Sequence, residues 1–130
     1  YTGCDPARMG LGPVKSIAAV NALTEFTLND ADLVEINEAF AAQVLSVLKA
    51  LKEPEYAKKA GLDHALGEIP ESILNPRGGS IAMGHPVGAT GARLVLSALN
   101  QLKKNQGQRA LVSLCIGGGQ GAALWLERSL

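Results

Sequence analysis

The stretch Gly78-Gly79-Ser80-Ile81-Ala82-Met83-Gly84-His85-Pro86-Val87-Gly88-Ala89-Thr90-Gly91-Ala92-Arg93 decides the fold of this 130-residue chain. Each glycine costs about 0.5–1 kcal/mol relative to alanine inside a helix or strand. Five of them so close together need a reason, such as backbone that approaches another group or presents N–H donors. The stretch follows the turn-forming Asn75-Pro76-Arg77 and leads into a helix. Ala92, Val95, Leu96, Leu99 and Leu102 recur at i, i+3, i+4, i+7 and i+10, and Lys103-Lys104 occupy the last turn, where cations suit the helix dipole.

Downstream, Arg109 to Ile116 predicts a buried strand, Gly117-Gly118-Gly119-Gln120-Gly121 a tight turn, and Ala122 to Glu127 a returning strand. Upstream, Gly12-Pro13 opens a predicted helix with Ile17, Val20 and Leu23 on one side, fading by Phe26. Asn29-Asp30 marks a loop and Leu33-Val34-Glu35-Ile36 a short strand. From Glu38 the pattern turns helical, with Phe40, Val44, Val47 or Leu48, and Leu51 on one face. Residues 52–74 are charged and turn-forming, which predicts an exposed excursion holding a short helix around Glu55 to Ala60. The alternation of helices with strands is α/β logic, with helices covering a mixed sheet.

Composition narrows the function. Twelve Lys plus Arg balance twelve Asp plus Glu, so no chain-wide field favours nucleic acid or anionic lipid. Residues 1–130 suit one domain with one core. Aromatics are only 4%, leaving Ala, Val, Leu and Ile to build that core. The longest uncharged run, Ala110 to Leu126, is shorter than the ~20 residues of a spanning helix and is broken by glycines, so no membrane span is expected. Cys4 and Cys115 lie far apart, with no CxxC or Cys/His cluster, against a disulfide framework or a zinc site. With no basic-then-apolar opening segment, a reducing, cytoplasmic setting is expected. The chain opens at Tyr1 rather than at Met and reads as a piece of something longer.

Three polar residues stand where strands or tight loops meet helices: Asn37, His85 and Cys115. In open α/β sheets reactive groups gather at the carboxyl ends of strands. Each also has a plain reading: Asn37 as a helix N-cap, His85 as a solvated loop histidine, Cys115 as a small buried hydrophobe. Gly84-x-x-x-Gly88-x-x-Gly91 is not the dinucleotide pattern GxGxxG, and no GxxxxGK[ST] occurs.

Asn37-Glu38-Ala39-Phe40, the stretch Gly78 to Arg93, and Cys115-Ile116-Gly117-Gly118-Gly119-Gln120-Gly121 resemble, in order and spacing, the three C-terminal signature blocks of the thiolases. Asp5-Pro6, Met9-Gly10 and Gly12-Pro13 resemble the opening of the same domain. The resemblance implies the C-terminal half of a thiolase-like layered fold, a mixed five-stranded sheet flanked by helices. Its first strand, central in that sheet, would be missing or truncated here. It implies an acyltransferase that cleaves 3-ketoacyl-CoA thiolytically or runs the reverse Claisen condensation, with coenzyme A as substrate or product and no further cofactor. Implied partners are acyl-CoA, CoA and an N-terminal thiolase domain that carries the nucleophilic cysteine, within a homodimer or homotetramer. His85 would activate that nucleophile and help hold the thioester oxygen, and Asn37 would orient a water at the same oxyanion site. Cys115 would move the proton on the substrate α-carbon, the Gly117 N–H would serve a second oxyanion site, and Ala39 and Phe40 would line the pantetheine channel.

Cys4 lies in the opening segment rather than in a nucleophile motif. The 52–74 excursion resembles the fatty-acid-oxidation type, while Asn37 and Cys115-Ile116-Gly117 resemble the acetoacetyl type, so acyl chain length stays open. A ketosynthase shares a Gly-His block but ends in a Phe-rich glycine turn, against Cys115. The rival from another class is a non-catalytic, thiolase-like lipid carrier or interaction module.

Overall fold

In the computed structural model, which describes residues 1–129, β1 (Thr2–Gly3) leads through a 3-10 turn (Pro6–Leu11) into α1 (Gly12–Thr24). Then come β2 (Leu33–Ile36), α2 (Ala41–Lys52), α3 (Pro54–Lys59), α4 (Ser80–Met83), α5 (Val87–Asn105), β3 (Arg109–Ile116) and β4 (Gln120–Glu127). The four strands form one mixed sheet in the order β1-β4-β3-β2, with β2 parallel to β3 and β4 antiparallel to β3.

Two layers of side chains cover the sheet. On one face Val14 and Ile17 of α1 and Val44, Val47 and Leu51 of α2 pack with Val34, Ile36 and Leu111. On the other, Leu94, Ala98 and Leu102 of α5 pack with Leu33, Ala110 and Val112. This explains why β2 and the first half of β3 read as nearly continuous apolar runs: both faces of each are covered. Their parallel pairing places the carboxyl ends of β2 and β3 side by side.

The first strand is truncated, as expected, to two residues that pair only with Gly121 and Gln120 of β4. At other points the structure differs from the sequence reading. Four strands form instead of five. Beyond β2 a single parallel rung between Val34 and Leu74 stands where a further strand would lie. Residues 52–74 are mostly exposed, but a few of their apolar side chains anchor them to the core. They contain α3, and Ala57 and Ile69 are buried while Leu62, Leu66 and Ile73 lean on the core of the α1/α2 face. Polar composition hid them because the few apolar side chains face inward and the charges face water.

α2 starts at Ala41 rather than Glu38, since Phe40 is extended at φ −149° and ψ 146°. α5 starts at Val87, five residues before the apolar spacing would place it, and Pro86 stands at its N-cap.

Candidate active site

The site grows from the end of β2. Asn37 N–H donates to the Ser113 carbonyl at 2.9 Å, which prolongs the β2–β3 ladder by one rung. Asn75 then substitutes for a neighbouring strand. Its Oδ1 accepts from Ile36 N–H at 2.8 Å, and its Nδ2 donates to the Ile36 carbonyl at 2.9 Å and to Glu38 Oε1 at 3.1 Å. Asn75 holds φ 42°, a left-handed conformation that asparagine tolerates better than most residues.

Glu38 Oε2 in turn accepts from Ile81 N–H at 3.1 Å, fastening the start of α4 beside β2. The carboxylate occupies the space a Cβ at position 79 would take, so a side chain there would push Glu38 away from Asn75 and Ile81. At the far end of α4, Gly84 has φ 88°, and this left-handed turn carries the chain into His85.

Asn37 is 1% exposed and does not cap α2, whose N-cap is Phe40. Its amide instead bridges two elements. Ser80 Oγ lies 2.6 Å from Asn37 Oδ1, and Asn37 Nδ2 lies 3.4 Å from His85 Nε2. The other imidazole nitrogen, Nδ1, is 2.7 Å from Thr90 Oγ1, which also lies 3.1 Å from the Pro86 carbonyl.

One tautomer satisfies this network. With the Thr90 hydroxyl hydrogen on the Pro86 carbonyl, which only accepts, the hydroxyl oxygen accepts from His85 Nδ1–H. Nε2 is left with a lone pair, which meets the Asn37 N–H. A neutral imidazole with an available Nε2 is the form a general base needs.

Cys115 lies on β3, two residues beyond the Asn37–Ser113 rung, and is buried and free of disulfide. Burial pushes its thiol above the ordinary range, while its own backbone N–H opposes part of that rise. Among the described residues no hydrogen bond links Cys115 to Asn37 or His85. Asn37 and His85 are therefore brought together, whereas Cys115 reaches the same end of the sheet by strand register alone. Gly117 follows in the exposed β3–β4 turn. Ala39 is half-buried, and Phe40 is 64% exposed beside a groove of about 410 Å3 that it lines with Arg8, Leu11 and Gln43.

Sequence reading missed Ser80, Thr90, Arg93, Asn75, Glu38 and Glu35. Arg93 Nη2 donates to Ser80 Oγ at 3.0 Å. Glu35, on β2, accepts from Gln101 Nε2 at 2.8 Å, and its second oxygen is buried with no partner among the described residues. Burial raises the Glu35 carboxyl above its usual range, partly offset by Gln101 and by the Arg93 charge. The available signal was weak: a Ser and a Thr five residues to either side of His85, and an Arg at one helical turn from that Thr.

Among the described residues no cluster of three or more His, Cys, Asp or Glu could hold a metal ion, and no helix is long and apolar enough to cross a membrane.

Comparison with known proteins adds the family. Residues 1–128 match the model for "Thiolase, C-terminal domain". The chain is 44% identical over 126 residues to the 3-oxoadipyl-CoA/3-oxo-5,6-dehydrosuberyl-CoA thiolase of Escherichia coli, covering 97% of this chain and 28% of that protein. It is 44% identical over 128 residues to a beta-ketothiolase of Cupriavidus necator, covering 98% of this chain and 28% of that one. Among solved structures, human mitochondrial 3-ketoacyl-CoA thiolase superposes with a TM-score of 0.80 at 39% identity, over 98% of this chain and 28% of its own. The chain thus spans little more than a quarter of the length of these relatives.

Proposed function

The chain belongs to the thiolase family, matching its C-terminal domain, and from that premise we propose that it supplies one catalytic half of an acyltransferase acting on acyl-CoA. The reaction is thiolytic cleavage of 3-ketoacyl-CoA or the reverse Claisen condensation. The observation that supports this most directly is the contact of Asn37 Nδ2 with a His85 Nε2 whose partner nitrogen is fixed by Thr90.

In this reading Nε2 takes the proton of a nucleophilic cysteine carried by the rest of the polypeptide. The thiolate attacks the 3-keto carbon, and the bond between C2 and C3 breaks with its electron pair moving to C2. The enolate oxygen is held by His85 and by a water on Asn37, Cys115 gives its proton to C2, and CoA thiol then removes the acyl group from the enzyme. The Gly117 N–H serves the tetrahedral intermediates. Donors fixed in advance at such oxygens are worth about 3–4 kcal/mol each. Ala39 and Phe40 line the pantetheine channel, and no cofactor beyond CoA takes part.

An exposed apolar surface supports the remaining partners. α5 presents an outward apolar face, with Val87 81% and Leu96 61% exposed, and Leu96 and Leu99 line a groove of about 440 Å3 against β4. An unpartnered face of this kind suits the N-terminal thiolase domain, with 1–130 as the C-terminal domain, within a homodimer or homotetramer. Two free thiols suit a cytoplasmic setting.

The test is CoA-dependent loss of acetoacetyl-CoA and longer 3-ketoacyl-CoA substrates with the complete polypeptide. Turnover is expected, His85→Ala should lower it by about 10²–10⁴-fold, and residues 1–130 alone should be inactive. Acyl-CoA binding without turnover by the complete polypeptide would instead support the carrier reading.

A further inference from the structure

We propose that Ser80, backed by Arg93, is a positioning residue that fixes which way round the Asn37 amide sits. This rests on the thiolase reading above. The oxygen and nitrogen of an asparagine amide are nearly the same size, so packing alone does not choose between its two orientations; hydrogen bonding does. Guanidinium nitrogens only donate. Because Arg93 Nη2 donates to Ser80 Oγ at 3.0 Å, the Ser80 hydroxyl hydrogen is free for the acceptor on its other side. That acceptor is Asn37 Oδ1 at 2.6 Å. Nδ2 is thereby turned toward His85 Nε2.

From the other end Thr90 reaches the same answer. With Nδ1–H bonded to Thr90, Nε2 carries a lone pair, and a flipped Asn37 would set its own oxygen lone pairs against it. A directed series of donors therefore runs from Arg93 through Ser80 and Asn37 to His85. It starts at a guanidinium, which only donates, and ends at the candidate base. Ser80 and Asn37 are both buried, so water does not readily substitute for a lost partner. Ser80 touches neither substrate nor the reacting atoms in this scheme; it acts through Asn37.

The complete polypeptide carrying Ser80→Ala, Ser80→Thr or His85→Ala tests this. Ser80→Ala should lower kcat for acetoacetyl-CoA cleavage by about 10–100-fold, below the loss for removing an oxyanion donor outright, with KM within about three-fold because the substrate-lining residues are untouched. Ser80→Thr, which keeps the hydroxyl, should retain at least about a third of wild-type kcat and melt close to wild type, while Ser80→Ala should stay folded and melt a few degrees lower. An active wild type, an inactive His85→Ala and a Ser80→Ala kcat within two-fold of wild type would overturn the positioning role alone. Equal losses in Ser80→Ala and in a normally folded Ser80→Thr would overturn it too, since the hydroxyl would not be what matters. A wild type without turnover overturns both this role and the functional reading.

Discussion

Removing the Asn75 side chain should unfold the chain at markedly lower denaturant. Asn75→Ala deletes three hydrogen bonds, two to the backbone of Ile36 and one to the Glu38 carboxylate. Net values of about 1 kcal/mol for each neutral bond and about 1.5 kcal/mol for the charge-assisted one give a loss of about 3.5 kcal/mol. Alanine also has to adopt the left-handed φ of 42°, at a further cost of about 1 kcal/mol that glycine avoids. Asn75→Gly separates the two contributions. The assay is urea unfolding followed through Trp125, the chain's one tryptophan, whose indole N–H donates to Asn21 Oδ1 at 2.9 Å and whose ring meets Phe26 edge-on at 5.4 Å. With a slope of about 2 kcal/mol/M, the Asn75→Ala midpoint should fall by roughly 2 M. A loss under about 1 kcal/mol in both variants would show that the end of β2 is held by something else. Alanine being milder than glycine would refute the conformational argument.

Gly79→Ala drives a methyl group into the Glu38 carboxylate and should cost about 2–3 kcal/mol. Adding Glu38→Ala should return about 1 kcal/mol or more of that loss, and strict additivity in the double-mutant cycle would refute the clash. The raised Glu35 carboxyl means that the folded chain binds that proton more tightly than the unfolded one. Stability from this group is present below the ordinary carboxylate range, falls as pH rises through the raised value, and then levels off. Glu35→Gln, which cannot titrate, should therefore match wild type in acid and exceed it at neutral pH. Urea midpoints that track wild type across the range would exclude the effect. In the complete polypeptide Cys115→Ser should leave the burst of acylation by a simple acyl-CoA, which breaks no carbon–carbon bond, intact while lowering steady-state cleavage or condensation by about 10²–10⁴-fold; an unchanged turnover number would remove Cys115 from the proton-transfer role.

Periodicity located most elements because most helices and strands here are covered on a definite face. It was less informative about α5, where the stripe at Val95, Leu96 and Leu99 established a helix but not its orientation. Leu94, Ala98 and Leu102 face the sheet, while Leu96 and Leu99 face outward. A helix apolar on two sides gives one period and two candidate inner faces. Asn37, His85 and Cys115 stood out because strand ends and glycine-framed loops are local features. The groups that orient them do not: Ser80 lies 43 residues from Asn37 and Asn75 lies 39 from Ile36. No window of neighbouring residues announces such pairs. The N-cap reading of Asn37 failed for the same reason, since the choice between a local backbone partner and distant side chains is made by the tertiary fold.

The shortness of β1 bears on how this domain behaves by itself. Among the described residues only Gln120 and Gly121 of β4 have a strand on their outer side, so in residues 1–130 taken alone the edge from Ala122 to Glu127 offers its outward amides and carbonyls to any extended peptide. Leu124, 38% exposed, adds an apolar side chain to that edge. Isolated copies of the domain would tend to add strands to one another, giving dimers and then precipitate as concentration rises. A peptide designed to prolong β1 backwards along β4 would keep the domain monomeric, a solubility remedy that leaves the candidate site untouched.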